Sequence, residues 1–190
     1  MARPATTRAA VIPALAEAFR QHGYEGTSMA VLQEASGLGR GSLYNFFPGG
    51  KDEMADAVLE DIDDWFVREV FQPLRSASDT GRVPAIESIT TMLDTVGRYF
   101  ESGRRVCLPG TFALGHERDR FATRVQSYFT TWAAELTRTL VVAGIANAPQ
   151  TALQILASIQ GAIVLSRALD DLTAFRTVLD GSRQLITSAR

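Results

Sequence analysis

The 190-residue sequence predicts an all-α protein, with an N-terminal three-helix helix-turn-helix domain over residues 1–50 and a larger helical domain over residues 51–190. Three observations support this prediction. Apolar residues recur every three or four positions, which is the spacing of one face of a helix. No segment shows the sustained alternation of apolar and polar residues that is typical of a half-buried strand. Glycine and proline fall mainly between the periodic segments, where they end helices.

The first predicted helix carries its apolar residues on one stripe between Val11 and Phe19. It is expected to end near Gly23, since glycine is common just beyond the last turn of a helix. Pro13 lies inside the pattern. A proline leaves a helix undisturbed only in the first turn, where the amide groups have no intrahelical partner, and otherwise kinks it.

Two short helices come next, and together they give the helix-turn-helix pattern. The second helix is predicted over about residues 28–36, with Thr27 or Ser28 as its N-cap and a glycine at its end. The third helix is predicted over about residues 39–47, and the Pro-Gly-Gly sequence at 48–50 stops it.

Six more helices are predicted after residue 50, and residues 76–84 are expected to form a loop. The expected ranges are 51–71, 84–102, 109–115, 118–143, 149–170 and 172–188. The last two are apolar over most of their surface, which in a chain of this size indicates an interface. We therefore expect a homodimer through these two helices, with Ile159 and Ile163 in the interface and Gly161 allowing close approach.

Composition indicates a folded protein of the cytoplasm. Hydrophobic residues make up 46% and charged residues 21%, which allows a packed core. The single cysteine permits no internal disulfide, and neither an apolar leader nor an apolar run of membrane-spanning length is evident. Residues 1–51 carry five basic against three acidic side chains, while the remainder carries 14 against 18. This slightly basic first part suits contact with phosphate.

The third predicted helix has the residue types that a helix reading DNA requires. Leu43 and Phe47 are four residues apart and can face the core, which leaves Arg40, Ser42, Tyr44 and Asn45 exposed. In a helix-turn-helix the second helix of the pair enters the major groove, where arginine and asparagine can bind base edges and hydroxyls can bind phosphate. The alternative is a helical corner whose aromatic residues belong only to the core.

A resemblance favours DNA binding. The segments Gly23-Tyr24, Thr27-Ser28-Met29, Ala35-Ser36-Gly37-Leu38 and Gly41 to Met54 resemble, in order and spacing, the DNA-binding domain of the tetracycline-repressor (TetR) family. This resemblance covers about the first 60 residues and implies a homodimeric all-α repressor that a ligand releases from operator DNA. It also suggests a subgroup of drug- and electrophile-responsive repressors, through the double glycine before Lys51.

The resemblance also implies which side chains contact DNA. Carried over by position, the residues expected to bind phosphate are Thr27 or Ser28, Tyr44 and Lys51, and those expected to face bases are Arg40, Gly41, Ser42 and Asn45. Lys51 begins the fourth helix, whose N-terminus adds amide donors.

The C-terminal domain is expected to bind a small, apolar or aromatic effector. The residues predicted to line its pocket are Met92, Phe100, Cys107, Phe112, Phe129, Trp132 and Gln160. Trp132 and Gln160 could each orient a ligand by a hydrogen bond. The alternatives are that the aromatic residues are ordinary core and that the Gln160 amide forms a hydrogen bond across a dimer. Cys107 follows two arginines and precedes a helix, a setting that favours a reactive thiolate, but a buried, inert thiol is the alternative.

Catalysis is not expected. Two histidines are present, and no nucleophile elbow, phosphate loop or carboxylate pair is recognisable. Residues 116–119, His-Glu-Arg-Asp, are adjacent and do not point together on a helix, so we expect neither a metal nor a cofactor. Two other functions stay open: a DNA-binding protein that needs no effector, and an enzyme on a helical bundle.

Overall fold

The computed structural model describes residues 7–188, and within this range the chain is helical without strands. The prediction of an all-α fold is confirmed. The helices are α1 (Arg8–Gly26), α2 (Met29–Ser36), α3 (Arg40–Phe46), α4 (Lys51–Phe66), α5 (Gln72–Ala77), α6 (Arg82–Tyr99), α7 (Leu108–Leu114), α8 (Ala122–Val142), α9 (Ala148–Ala168) and α10 (Leu172–Ser188). A π-helical turn occupies Val67–Phe71, and 3-10 turns occupy Glu101–Gly103 and His116–Asp119.

The chain forms two compact units. The first unit extends to Asp63 and includes Leu108–Val125, and the second comprises Asp64–Cys107 and the chain from Gln126 onward. The division falls within α4. The boundary predicted at residue 50 separates a DNA-binding part of the chain from an effector-binding part. That functional division stays a prediction.

In α1, the two helix-breaking residues behave differently. Pro13 lies beyond the first turn, on the exposed side of the helix, and α1 continues through it. Gly23 has φ 65°, a left-handed conformation that glycine adopts without strain, and the backbone kinks there. One further turn reaches Gly26, so α1 ends later than predicted and its last turn carries Tyr24.

Side-chain and backbone caps set the ends of α2. The Ser28 hydroxyl accepts a hydrogen bond from the backbone N–H of Val31 at 3.3 Å, so Ser28 is the N-cap. Gly37 ends the helix with φ 67°. The predicted bounds of α2 and α3 therefore agree with the structure to within one residue.

The core of the first unit is built from large side chains of α1, α2, α3 and the segment after it. Leu15, Phe19, Leu32, Leu43 and Phe47 are all fully buried. Segment 108–125 contributes a second layer, in which Phe112 meets Phe19 edge to face at 6.3 Å between ring centroids.

The helical run that begins at Lys51 is longer than predicted and contains a π-helical turn. The backbone N–H of Gln72 donates to the carbonyl of Val67, five residues earlier, and α5 follows at once. Pro73 lies in the first turn of α5, where its missing N–H is tolerated. The predicted loop at 76–84 is correspondingly short, because α6 begins at Arg82.

In the second unit α9 packs along α10, and α10 also contacts α6. Ile159 and Ile163 are buried within this single chain, which corrects their assignment to a dimer interface. The exposed apolar face of α9 instead carries Leu153, Gly161 and Val164, which share one side of the helix.

Among the described residues, α9 is also the one helix long and apolar enough to cross a membrane. Fewer than half of its residues are buried within the chain. It is not an uninterrupted apolar run, because Gln154 and Gln160 lie within it. Helices at the core of soluble proteins share these properties, so α9 is weak evidence for a membrane span.

Candidate nucleic-acid interface

Helix α3 exposes one polar face and is anchored by one residue. Leu43 is its buried side chain, and Phe47 is buried directly after it. The residues predicted to face bases, Arg40, Gly41, Ser42 and Asn45, are all exposed, and so is Tyr44. The structure therefore places all five on the surface of one short helix.

Within this face, Arg40 and Tyr44 are neighbours. The guanidinium carbon of Arg40 lies 5.6 Å from the centroid of the Tyr44 ring, in cation–π range. A Cβ atom at Gly50, which has φ 67°, would lie 3.5 Å from the Tyr44 ring, so the ring packs on this glycine. These contacts limit the rotamers of Tyr44 while leaving 37% of the residue exposed.

Lys51, predicted to bind phosphate, lies against Tyr24. Its Nζ donates to the backbone carbonyl of Tyr24 at 3.0 Å and lies 4.1 Å from the centroid of the Tyr24 ring. An ammonium group has three donors, so this bond leaves two for a phosphate. The position of Lys51 therefore depends on that of Tyr24.

Thr27 and Ser28, of which one was predicted to bind phosphate, differ in burial. Thr27 is fully buried, and its hydroxyl donates to the carbonyl of Gly23, which corrects its assignment as a phosphate contact. Ser28 is exposed at the N-cap of α2. Of this predicted pair, Ser28 is the residue whose side chain is exposed to solvent.

Arg8 contacts the end of α3, although no sequence pattern predicted it. Its Nε donates to the carbonyl of Phe46 at 3.3 Å, at the end of α3, and its guanidinium lies 4.8 Å from the Phe47 ring centroid. Arg8 also pairs with Glu53 at 3.6 Å, in the first turn of α4. Because Arg8 and Phe46 are 38 residues apart in sequence, no local sequence pattern could predict this contact.

Arg120 was missed for the same reason. Its guanidinium donates to the Tyr24 hydroxyl at 3.0 Å and pairs with the Asp52 carboxylate, to which the Tyr24 hydroxyl also donates. Burial, with Asp52 adding to it, raises the pKa of Tyr24 well above its usual range, so its hydroxyl stays protonated. These three side chains join the last turn of α1 to the first turn of α4.

The second unit contains an aromatic cluster that includes two of the predicted effector-binding residues, Phe100 and Trp132. Its members are the rings that contact Phe66, namely those of Phe71, Tyr99, Phe100, Tyr128 and Trp132, together with Phe66 itself. Phe66 is at its centre, with its ring centroid 5.2 Å from that of Trp132 and 6.3 Å from that of Phe100. Both Phe100 and Trp132 are fully buried, and Met92 is nearly so. The Trp132 Nε1 has no hydrogen-bond partner among the described residues, and neither has the Gln160 Nε2.

The remaining predicted effector residues are placed differently. Phe112 belongs to the first unit, where it packs on Phe19 and Tyr24. Phe129 is half-buried and touches Tyr128. Cys107 is buried immediately before α7, where its thiol is shielded from solvent.

No group of three or more His, Cys, Asp or Glu side chains within residues 7–188 is arranged to hold a metal ion. In the 3-10 turn at 116–119, Glu117 is buried while His116 is exposed, so the two do not form a shared site.

Two family models match the chain. The model described as "Bacterial regulatory proteins, tetR family" matches residues 11–58. The model described as "Transcriptional regulator LmrA/YxaF-like, C-terminal domain" matches residues 85–180, about half of the chain. The first match contains the predicted helix-turn-helix and extends eight residues past the predicted boundary at residue 50, and the second lies within the predicted larger helical domain.

Individual proteins are similar to the chain over much of its length. The uncharacterized HTH-type transcriptional regulator YxaF of Bacillus subtilis is 27% identical over 175 residues, covering 88% of each chain. The HTH-type transcriptional repressor AcnR of Corynebacterium jeikeium is 28% identical over 109 residues, 56% of this chain and 53% of that one. The crystal structure of a TetR transcriptional regulator from Legionella pneumophila superposes with a TM-score of 0.73, with 21% identity and 98% of each chain covered. That structure shows the same fold.

Proposed function

Because this chain belongs to the TetR family of bacterial transcriptional regulators, we propose that it is a repressor that binds a palindromic operator as a homodimer and is released by a small molecule. The observation that carries the proposal is the exposed polar face of α3, held by the single buried anchor Leu43. The similarity to AcnR, which is named a repressor, supports repression rather than activation. The protein then acts in the cytoplasm, where its operator is.

In this proposal residues 1–50, together with Lys51, bind DNA, and the remainder of residues 51–190 binds the effector and forms the dimer. The exposed apolar face of α9 supports dimerisation, since an apolar helix face left in water is unfavourable. A two-fold dimer presents two copies of α3 to half-sites about 34–36 Å apart, or a multiple of that distance. The family consists of DNA-binding regulators, which supports the absence of catalytic activity.

Selection of binding sites from a random DNA library, followed by titration of the selected duplex, tests DNA recognition. We expect Arg40→Ala and Asn45→Ala to relax the preference at particular base pairs by about 1–3 kcal/mol each, because bidentate contacts to base edges carry sequence information. Lys51→Ala should weaken binding to all DNA sequences alike and reduce the salt dependence of binding, because phosphates are the same in every sequence. If the base preference were unchanged in both alanine variants of α3, this helix would not be the element that recognises bases.

The effector is proposed to enter the aromatic cluster of the second unit. The buried Trp132 Nε1 without a partner among the described residues supports this site, because a ligand acceptor would satisfy an otherwise costly donor. Since Trp132 and Phe100 are fully buried, the cluster has to open for a ligand to enter. We therefore expect an apolar or aromatic effector with one hydrogen-bond acceptor.

Replacing Trp132 by phenylalanine tests this site. Small aromatic compounds would first be screened for release of a fluorescently labelled operator from the wild type. We expect Trp132→Phe to raise the concentration needed for half-release about 2- to 12-fold, the value of one hydrogen bond of about 0.5–1.5 kcal/mol. Operator affinity without effector should not change. An identical release curve in the variant would place the effector elsewhere.

A further inference from the structure

We propose that Arg120 is a positioning residue for DNA binding: by joining Tyr24 to Asp52 it fixes Lys51 where this lysine can bind a phosphate. The inference rests on the proposed function, because it assigns Arg120 a role in the DNA contact of Lys51. It concerns residues of the first unit alone.

Within the described part of the chain, the hydrogen bond and the cation–π contact of the Lys51 ammonium are both made with one residue of another helix. This ammonium is bonded to the carbonyl of Tyr24 and lies over the ring of the same residue. Both contacts are made by the last turn of α1, while Lys51 begins α4. The lysine therefore has a defined position only if these two helix ends are held together.

Three side chains link these helix ends. Asp52 follows Lys51 in the first turn of α4, and its carboxylate binds the Tyr24 hydroxyl and Arg120. The Arg120 guanidinium also binds the Tyr24 hydroxyl, and it lies 5.3 Å from the Tyr24 ring centroid. Arg120 thus completes a triangle in which each side chain contacts the other two.

Packing makes the Tyr24 side of this triangle rigid. The Tyr24 ring is stacked on Phe19 at 6.1 Å and meets Phe121 edge to face at 5.3 Å, so its body is fixed. Its hydroxyl projects from this packing toward Asp52 of α4. A charge-assisted hydrogen bond is stronger than a neutral one. Arg120 and Asp52 supply both charges of this contact.

The chain offers a matched control. Arg124 Nε pairs with Asp56 Oδ1 at 2.9 Å, and each of these two residues lies four residues further along the chain than its counterpart in the triangle. This second pair is exposed to a similar degree, with Arg124 and Asp56 side chains 36% and 50% exposed against 50% and 54% for Arg120 and Asp52. Its hydrogen bond involves neither Tyr24 nor Lys51.

The experiment measures the affinity of the full-length protein for a duplex selected by the wild type, by fluorescence anisotropy over a range of salt concentrations. We expect Arg120→Gln to weaken binding about ten-fold and to lower the salt slope by about 0.9, as Lys51→Ala should, because each loses one phosphate contact. Arg120→Lys should recover part of the affinity. Arg124→Gln, which removes the same charge, should change affinity less than about two-fold.

Asp52→Asn separates positioning from simple electrostatics. Removing a negative charge beside DNA strengthens binding if charge alone matters, whereas the positioning role of the triangle predicts weaker binding. We expect this variant to bind more weakly than the wild type and Asp56→Asn to bind no more weakly. Circular dichroism would confirm that each variant is folded, and if Arg120→Gln were not, Asp52→Asn and Arg120→Lys would decide the question.

A double-mutant cycle completes the test. If Arg120 acts through Lys51, the double variant Arg120→Gln/Lys51→Ala binds no more weakly than Lys51→Ala. Additive losses would mean that Arg120 contacts phosphate itself, which would overturn the inference. Wild-type affinity in Arg120→Gln, or tighter binding by Asp52→Asn, would also overturn it. Each of these outcomes would leave the proposed function standing. A wild type that selects no DNA sequence would overturn the proposed function, and the inference with it.

Discussion

Replacing Val164 by lysine is expected to convert the proposed dimer into folded monomers and to lower operator affinity about 10²–10⁴-fold, because two linked DNA-binding domains gain affinity by effective concentration and a monomer loses that gain. Val164 is 64% exposed on the apolar face of α9, beside Gly161, where an added Cβ would meet no atom of another helix within 4 Å. A charge there would be buried without a partner in a helix-to-helix interface, which is strongly unfavourable. Analytical ultracentrifugation and operator titration measure both effects.

Leu169→Lys is the matched control, since Leu169 is 65% exposed on α9's C-cap but lies on another side of the helix. It should remain a dimer with wild-type affinity. Ile159→Lys should instead unfold the protein, because Ile159 is buried within the single chain. A Val164→Lys protein that sediments as a dimer would place the interface on another surface.

The second large effect is expected from Leu43→Ala, which removes the buried anchor of α3. Truncating a fully buried leucine costs about 2–5 kcal/mol, through lost burial and the cavity left behind. We expect the amides of residues 40–47 to lose protection from hydrogen exchange and the operator to be bound weakly, because a disordered α3 must be ordered before it can bind. Hydrogen–deuterium exchange with mass spectrometry measures the first effect directly.

Asn45→Ala is the control for this prediction. Asn45 is exposed on the same helix, so its replacement should change stability by less than about 0.5 kcal/mol while altering base preference. Equal loss of protection in both variants would mean that α3 is held by something other than Leu43. Unchanged protection in Leu43→Ala would lead to the same conclusion.

The sequence predicted well those elements whose ends are set by local chemistry. Helix α2 begins at a serine cap and ends at a glycine with positive φ, and α10 extends over Leu172–Ser188 as expected. The exposed residues of α3 could also be predicted, because Leu43 and Phe47 fix which side faces the core. In each case the deciding interactions lie within about four residues in the chain.

Features that depend on distant residues could not be predicted in this way. Arg120 lies 96 residues from Tyr24 in sequence, and no periodicity links them. Phe112 was assigned to an effector pocket because it is aromatic, but only the fold shows that segment 108–125 belongs to the first unit. The apolar pattern of α9 likewise predicted an interface, without distinguishing buried Ile159 from exposed Val164.

The π-helical turn at Val67–Phe71 affects how this chain is to be aligned with others. A π turn accommodates one more residue than an α turn, and each residue of an α-helix advances by about 100°. The extra residue therefore sets the phase of the helix beyond it, and in this phase Phe71 and Leu74 are both buried. A relative whose helix is regular throughout aligns with this chain only if a one-residue gap is opened within 67–71. An ungapped alignment would pair Leu74 with a solvent-facing position.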